Sequence, residues 1–205
     1  MMNDPRIHWD QVYGTKSDSE VSWYQPRPVT SLELIRGAAP DPSTSVIDVG
    51  SGTSTLVDEL LAAGFQDVSA LDTSSTAIER VRTRLGAAAD RVEWIVASVT
   101  DWRPRRKWGV WHDRAVFHFL TEPALQDAYI QALSEASSPG SVAIISTFAL
   151  DGPERCSGLP VERYSAETLS QRMGAKFSLV AQTAERHVTP RGAIQNFIYA
   201  VFERR

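Results

Sequence analysis

Val46-Ile47-Asp48-Val49-Gly50-Ser51-Gly52-Thr53-Ser54 is a short apolar run that ends in a Gly-x-Gly turn. About 20 residues on, Leu71-Asp72-Thr73-Ser74 closes a second apolar run with an acid. This order, strand then glycine turn then helical pattern then strand and acid, brings a ribose-bearing cofactor to the carboxyl ends of neighbouring parallel strands. Glycine lets the backbone approach a ligand closely, and a carboxylate takes a pair of ribose hydroxyls.

Outward from this core the pattern keeps alternating. Strands are predicted over 45–49, 67–71, 92–97, 110–116 and 142–147. Helices are predicted over 55–63, 75–85 and 122–137, the last with an apolar stripe of Leu125, Ala128, Tyr129, Ala132, Leu133 and Ala136. Before the first strand, Thr30 and Glu33 have the spacing of a capping box for a helix carrying Leu32, Leu34 and Ile35. After a loop at 150–161 and a short helix begun at Ser165, two alternating runs, 177–187 and 193–202, flank Pro190 and Gly192 and read as a hairpin. The expected fold is α/β: a Rossmann-like, mostly parallel sheet of seven strands with a carboxyl-terminal antiparallel hairpin and helices on both faces. Residues 1–205 read as one domain, with a lid or helical segment at 1–37 and the core at 45–205.

Composition narrows the function classes. In 205 residues, 42% are hydrophobic, enough for a full core. A net charge of -4 gives no general attraction to nucleic acid or to an anionic membrane. The basic cluster Arg103, Arg105, Arg106 and Lys107 precedes a strand, on the side of a parallel sheet away from the ligand, and reads as a solvated turn. With Cys156 the single cysteine and four scattered histidines, no metal spacing exists and no metal is expected. The amino terminus has no signal-peptide core and no run reaches transmembrane length, so the expected setting is soluble and cytoplasmic.

The element order and the stretch Asp48–Ser54 resemble the class I S-adenosylmethionine-dependent methyltransferases. The resemblance covers nearly the whole chain from Ser45 to Phe202 and implies S-adenosylmethionine as cofactor and S-adenosylhomocysteine as product. It gives Gly50, Ser51 and Gly52 the cofactor's methionine end and ribose, and Asp72, with Thr73 beside it, the ribose. Ser98 and Val99 fall at the segment that flanks the adenine. This family often has an acid at the position of Ser98, so either the serine hydroxyl or Asp101 takes its place. The opening Trp9-Asp10-x-x-Tyr13-x-x-Lys16, with Glu20 to Gln25, is similar to the methyltransferase-like group that includes lysine methyltransferases of elongation factor 1A and citrate synthase.

Methyl transfer asks a protein for orientation and a dry pocket, and for a base only when the acceptor arrives protonated. Asp48 is a candidate for holding the glycine loop or the cofactor's ammonium group. In His112-Asp113-Arg114-Ala115-Val116-Phe117-His118, charges in an apolar strand are costly unless paired or placed at a site. Asp113 and Arg114 point to opposite faces. Asp113 and His118 are the candidates for positioning or deprotonating the acceptor; Asp113 and Arg114 also join the cofactor set, and His112 reads as structural. Trp9, Tyr13, Trp23 and Tyr24 suit a lid that stacks on adenine or faces a sulfonium. In the loop at 151–160, Arg155 (with Arg163 just beyond it) has the charge for an anionic acceptor, and Cys156 reads as a packed thiol.

The acceptor stays open between a small molecule and a protein lysine, with a monomer or dimer as the assembly. Two other readings share the strand, turn and acid. One is a non-catalytic cofactor- or partner-binding protein on the same fold. The other is a nicotinamide-dependent oxidoreductase, disfavoured because Gly50-Ser51-Gly52-Thr53-Ser54-Thr55 lacks the third glycine or alanine.

Overall fold

The computed structural model describes residues 5–205. The reading of residues 1–4 as part of a leader without an apolar core falls outside them. Helices α1 (Pro5–Thr15) and α2 (Val29–Ala38) precede strand β1 (Val46–Val49). Next come α3 (Leu56–Ala62), β2 (Val68–Asp72), α4 (Ser75–Leu85), β3 (Val92–Val96) and β4 (Val110–Arg114). Helix α5 (Pro123–Glu135) leads into β5 (Val142–Phe148). The predicted loop at 150–161 holds a small hairpin, β6 (Arg155–Cys156) against β7 (Leu159–Pro160). Helix α6 (Ala166–Met173), capped by Ser165, and the long strands β8 (Phe177–Val188) and β9 (Ile194–Arg204) follow.

Seven strands form one sheet in the order β3-β2-β1-β4-β5-β9-β8. The first five run parallel; β9 is antiparallel to both β5 and β8. Chain order reverses at β1, which has β2 on one side and β4 on the other, so a crevice opens outside its carboxyl end. That is where the Gly50–Gly52 turn lies.

Strand alternation sorts the core into two layers. Ile47, Val49 and Trp111 face Tyr129 and Leu133 of α5 and Leu169 of α6. Val46, Val110 and Ile144 face Leu32 and Ile35 of α2 and Leu56 and Leu60 of α3. Asp48 and His112 are register partners on the α2 side, whereas Asp113 shares the α5 side with Trp111.

Two local expectations are corrected. The Thr30–Glu33 capping box does not form: α2 starts at Val29 with Pro28 as N-cap and no side-chain cap bond. Thr30 therefore lies inside the first turn, near Glu185, whose carboxyl it helps hold below the usual range. Leu125 is not core; it is 40% exposed and lies on the wall of a pocket rather than against the sheet. Among the basic cluster, Arg106 forms a two-pronged bond to Asp67 (2.8 and 2.6 Å) and lies 4.7 Å from the Trp108 ring centroid, holding the turn rather than a ligand.

The two α5 leucines test this layering. Leu133→Ala, fully buried, is expected to cost about 2–5 kcal/mol in urea unfolding, and Leu125→Ala no more than about 0.5 kcal/mol. Equal losses would contradict it.

Candidate functional site

The site is built from the turn after β1. The Gly50 and Ser51 N–H groups both donate to the Leu71 carbonyl, at 2.7 and 3.1 Å, so the turn is fastened to the end of β2. Gly52 N–H donates to Asp72 Oδ2 at 2.7 Å, and Ser74 N–H donates to Asp72 Oδ1, also at 2.7 Å. One buried carboxylate thus ties the glycine turn to the start of α4, whose N-cap is Ser74. Burial pushes the Asp72 carboxyl up to about 6 against the two N–H donors, with the Asp48 and Asp10 charges adding to the rise. Gly50 and Gly52 have φ of 67° and 51°. A Cβ at Gly50 would collide with Val116 Cγ2, and one at Gly52 with the Tyr13 hydroxyl.

A single pocket spans this turn and the crevice beside it. From the turn and β2, Asp48, Gly50, Ser51, Gly52, Asp72 and Thr73 line it. Ala97, Ser98, Val99 and Thr100 form one end; Ser98 Oγ lies 2.8 Å from Thr100 Oγ1, and Asp101 is exposed and off the wall. The other walls are Trp9 and Tyr13 of α1, Trp23, His112, Arg114, Phe119, Leu120, Leu125, Cys156 and Leu159. The amino-terminal segment is buckled onto α4. Asp10 Oδ1 accepts from Ser74 Oγ (2.6 Å) and Thr76 N–H (3.1 Å), and Arg80 donates to the carbonyls of Tyr13 and Lys16 at 2.6 and 2.7 Å.

Three expected site residues lie elsewhere. Tyr24 is half-buried but off the wall, where Trp23 stands instead. Asp113 is fully buried on the α5 side. Its carboxylate accepts from Val116 N–H (2.8 Å), Phe117 N–H (3.1 Å) and the Tyr129 hydroxyl (2.7 Å). It clamps the bend after β4, where Ala115 has φ of 72°, and is not part of the pocket wall. Burial raises its carboxyl to about 6. His118 is equally buried, between the rings of Phe119 and Phe148 at 4.5 and 4.7 Å, and its Nδ1 accepts from Phe148 N–H at 3.3 Å. Burial, reinforced by Arg114, lowers its pKa to about 3, so the imidazole is neutral at physiological pH.

Sequence reasoning set His112 aside and missed Ser31. His112 Nδ1 lies 2.7 Å from Asp48 Oδ1, and Nε2 lies 2.9 Å from Ser31 Oγ; all three residues line the pocket. The register of Asp48 and His112 was the available signal. Ser31 gave none, being one polar position within a helix. Arg114 does reach the wall, but its donors are committed to Tyr199, the Trp23 carbonyl and Glu185. Arg163 is bound to the Gly152 carbonyl and Glu154, and burial pushes the Cys156 thiol up to about 11.

What the pocket lacks is as telling. Asp48 Oδ2, Ser51 Oγ and Thr73 Oγ1 are buried polar atoms on its wall with no hydrogen-bond partner. Such groups cost roughly 1–3 kcal/mol each unless a ligand or water satisfies them.

Residues 46–140 match a family model described as a methyltransferase domain. The fold is that of the S-adenosylmethionine-dependent methyltransferases. No curated protein matches the chain. Among solved structures, one from a study of disulfide-to-thioacetal conversion in echinomycin biosynthesis is 22% identical. Its TM-score is 0.76, covering 98% of this chain and 92% of that one. The N-methyltransferase NodS of Bradyrhizobium japonicum, in complex with S-adenosylhomocysteine, has 12% identity and a TM-score of 0.72 over 98% of this chain and 99% of its own. The 1,6-didemethyltoxoflavin-N1-methyltransferase of Burkholderia thailandensis has 16% identity and a TM-score of 0.67 over 98% and 84%.

The neutral His118 makes a pH prediction. Its folded pKa of about 3 lies below the ordinary 6.5, so the unfolded chain binds the extra proton between those values. Its contribution to stability is full above pH 6.5 and is lost as pH falls toward 3. Asp72 and Asp113, raised to about 6, act oppositely between 3.8 and 6, favouring the folded state as pH falls. His118→Gln is therefore expected to lower proton uptake on unfolding at pH 5 by about one. Unchanged uptake would contradict a neutral buried imidazole.

Proposed function

We propose that this chain transfers a methyl group from S-adenosylmethionine to a small-molecule nucleophile. The carrying observation is the set of unpartnered polar atoms around the glycine turn, which fits the cofactor's polar groups. Asp48 Oδ2 has the charge for its ammonium group, Asp72 sits for the ribose hydroxyls, and Ser51 and Thr73 add hydroxyls beside them. Ser98 and Val99 stand where the adenine edge would lie, with the Ser98 hydroxyl already engaged by Thr100. When bound, the cofactor supplies an electrophilic methyl carbon on a sulfonium, a leaving group that needs no activation.

The residues of this chain then have to exclude water and orient the acceptor. Trp9, Trp23 and Phe119 form one aromatic wall, with ring centroids 5.7 and 5.1 Å from Trp9. Leu120, Leu125 and Leu159 extend it with aliphatic surface. A largely apolar pocket suits a small acceptor, and the Burkholderia neighbour, named for 1,6-didemethyltoxoflavin, supports that choice. The similarity of the opening residues to protein-lysine methyltransferases is the support for a protein acceptor. Among the described residues no helix is long and apolar enough to cross a membrane, and the single cysteine fits a reducing cytoplasm.

Isothermal titration with S-adenosylhomocysteine tests the cofactor half. Gly50→Ala, which collides with Val116 and strains φ, and Asp72→Ala, which frees the turn, are each expected to weaken binding at least about ten-fold. Unchanged affinity in both would remove the site. Following labelled methyl from S-adenosylmethionine in a cell extract tests the acceptor half. Label in small molecules is expected; a discrete labelled protein band would replace the small acceptor with a protein.

A further inference from the structure

The buried chain beginning at Asp48 does more than fill space between the sheet and α2. Arg114 Nε donates to the Tyr199 hydroxyl oxygen at 3.0 Å, and that hydroxyl lies 3.2 Å from Ser31 Oγ. Ser31 Oγ lies 2.9 Å from His112 Nε2, and His112 Nδ1 lies 2.7 Å from Asp48 Oδ1. A guanidinium only donates and a carboxylate only accepts, so the hydrogen is fixed at each end of this chain. Tyr199 accepts from Arg114 and has Glu185 Oε2 (3.5 Å) and Ser31 Oγ (3.2 Å) as partners for its own hydrogen, and Ser31 Oγ lies against His112 Nε2. The imidazole must then carry its proton on Nδ1 and donate it to Asp48 Oδ1.

With one carboxylate oxygen held in this way, the other is left. Asp48 Oδ2 is buried on the pocket wall with no partner. We propose that His112 is a positioning residue for the cofactor: it locks the Asp48 carboxylate so that Oδ2 is presented, bare, to the ammonium group of the bound methionine moiety. This rests on the cofactor reading above and adds to it a residue with no direct claim on the ligand. Arg114 also donates to the Trp23 carbonyl at 3.2 Å, so the same chain ends on the aromatic strap that walls the pocket.

The experiment compares two ligands that differ in the amino-acid moiety. S-adenosylhomocysteine carries the ammonium, and 5′-methylthioadenosine lacks it. His112→Leu is expected to weaken the first about ten-fold and leave the second within about two-fold, the scale of one charge-assisted hydrogen bond. His112→Asn, whose amide nitrogen can donate where Nδ1 does, is expected to restore most of the loss. Equal weakening of both ligands, or of neither, would overturn the positioning role. Failure of the wild-type chain to bind either ligand would overturn the cofactor reading and the proposal with it. Should His112→Leu not fold, the wild-type imidazole still decides. Long-range proton–nitrogen correlation is expected to place its proton on Nδ1, and a proton on Nε2 would overturn the proposal.

Discussion

The Asp72 carboxylate is the constraint from which the rest of the site follows. It ends one strand, accepts from the glycine turn that ends the neighbouring strand, and accepts again from the first residues of α4. A buried acid with two backbone donors is stabilised in its charged form by both, yet burial still lifts its carboxyl to about 6. It therefore keeps unused acceptor capacity at the mouth of a crevice that topology has already opened. The turn cannot relax away from it, because Gly50 and Ser51 are bound to the same strand end.

Around that anchor the chain uses buried polarity in two different ways. On the α5 side of β4, Asp113 is saturated by two backbone N–H groups and a tyrosine hydroxyl, and its task is to hold a bend. On the α2 side, one residue either way along the same strand, His112 and Arg114 belong to a hydrogen-bonded chain that ends at Asp48, whose Oδ2 is an acceptor still lacking a donor. Saturated groups stabilise structure, and unsatisfied ones on a pocket wall, such as Asp48 Oδ2, suit a ligand. The distinction separates two sets of residues that look alike in an apolar strand sequence.

Much of the fold was legible because its signals are local. Periods of 2 and 3.6 fixed element types, and glycine placement fixed the turn at the switch point. Failures came where a long-range contact overrode a local rule. Thr30 had a capping spacing but lies two residues past the N-cap Pro28, inside the first turn of α2. Asp113 and His118 lie off the pocket wall: Tyr129 of α5 and two backbone N–H groups satisfy Asp113, and His118 packs on Phe148 of β5 with only Nδ1 bonded. The partners of His112 were not legible because Asp48 and Ser31 are 64 and 81 residues away in sequence. The glycine turn, Asp48 and Asp72 were legible because they belong to one short strand, turn, helix and strand unit, and all line the pocket.

The most direct test of the account is a crystal structure of the chain with S-adenosylhomocysteine. The account predicts the ammonium nitrogen within hydrogen-bond distance of Asp48 Oδ2, the ribose hydroxyls on Asp72, and the adenine beside Ser98 and Val99. A ligand bound with its amino-acid end away from Asp48, or outside the glycine turn altogether, would contradict it.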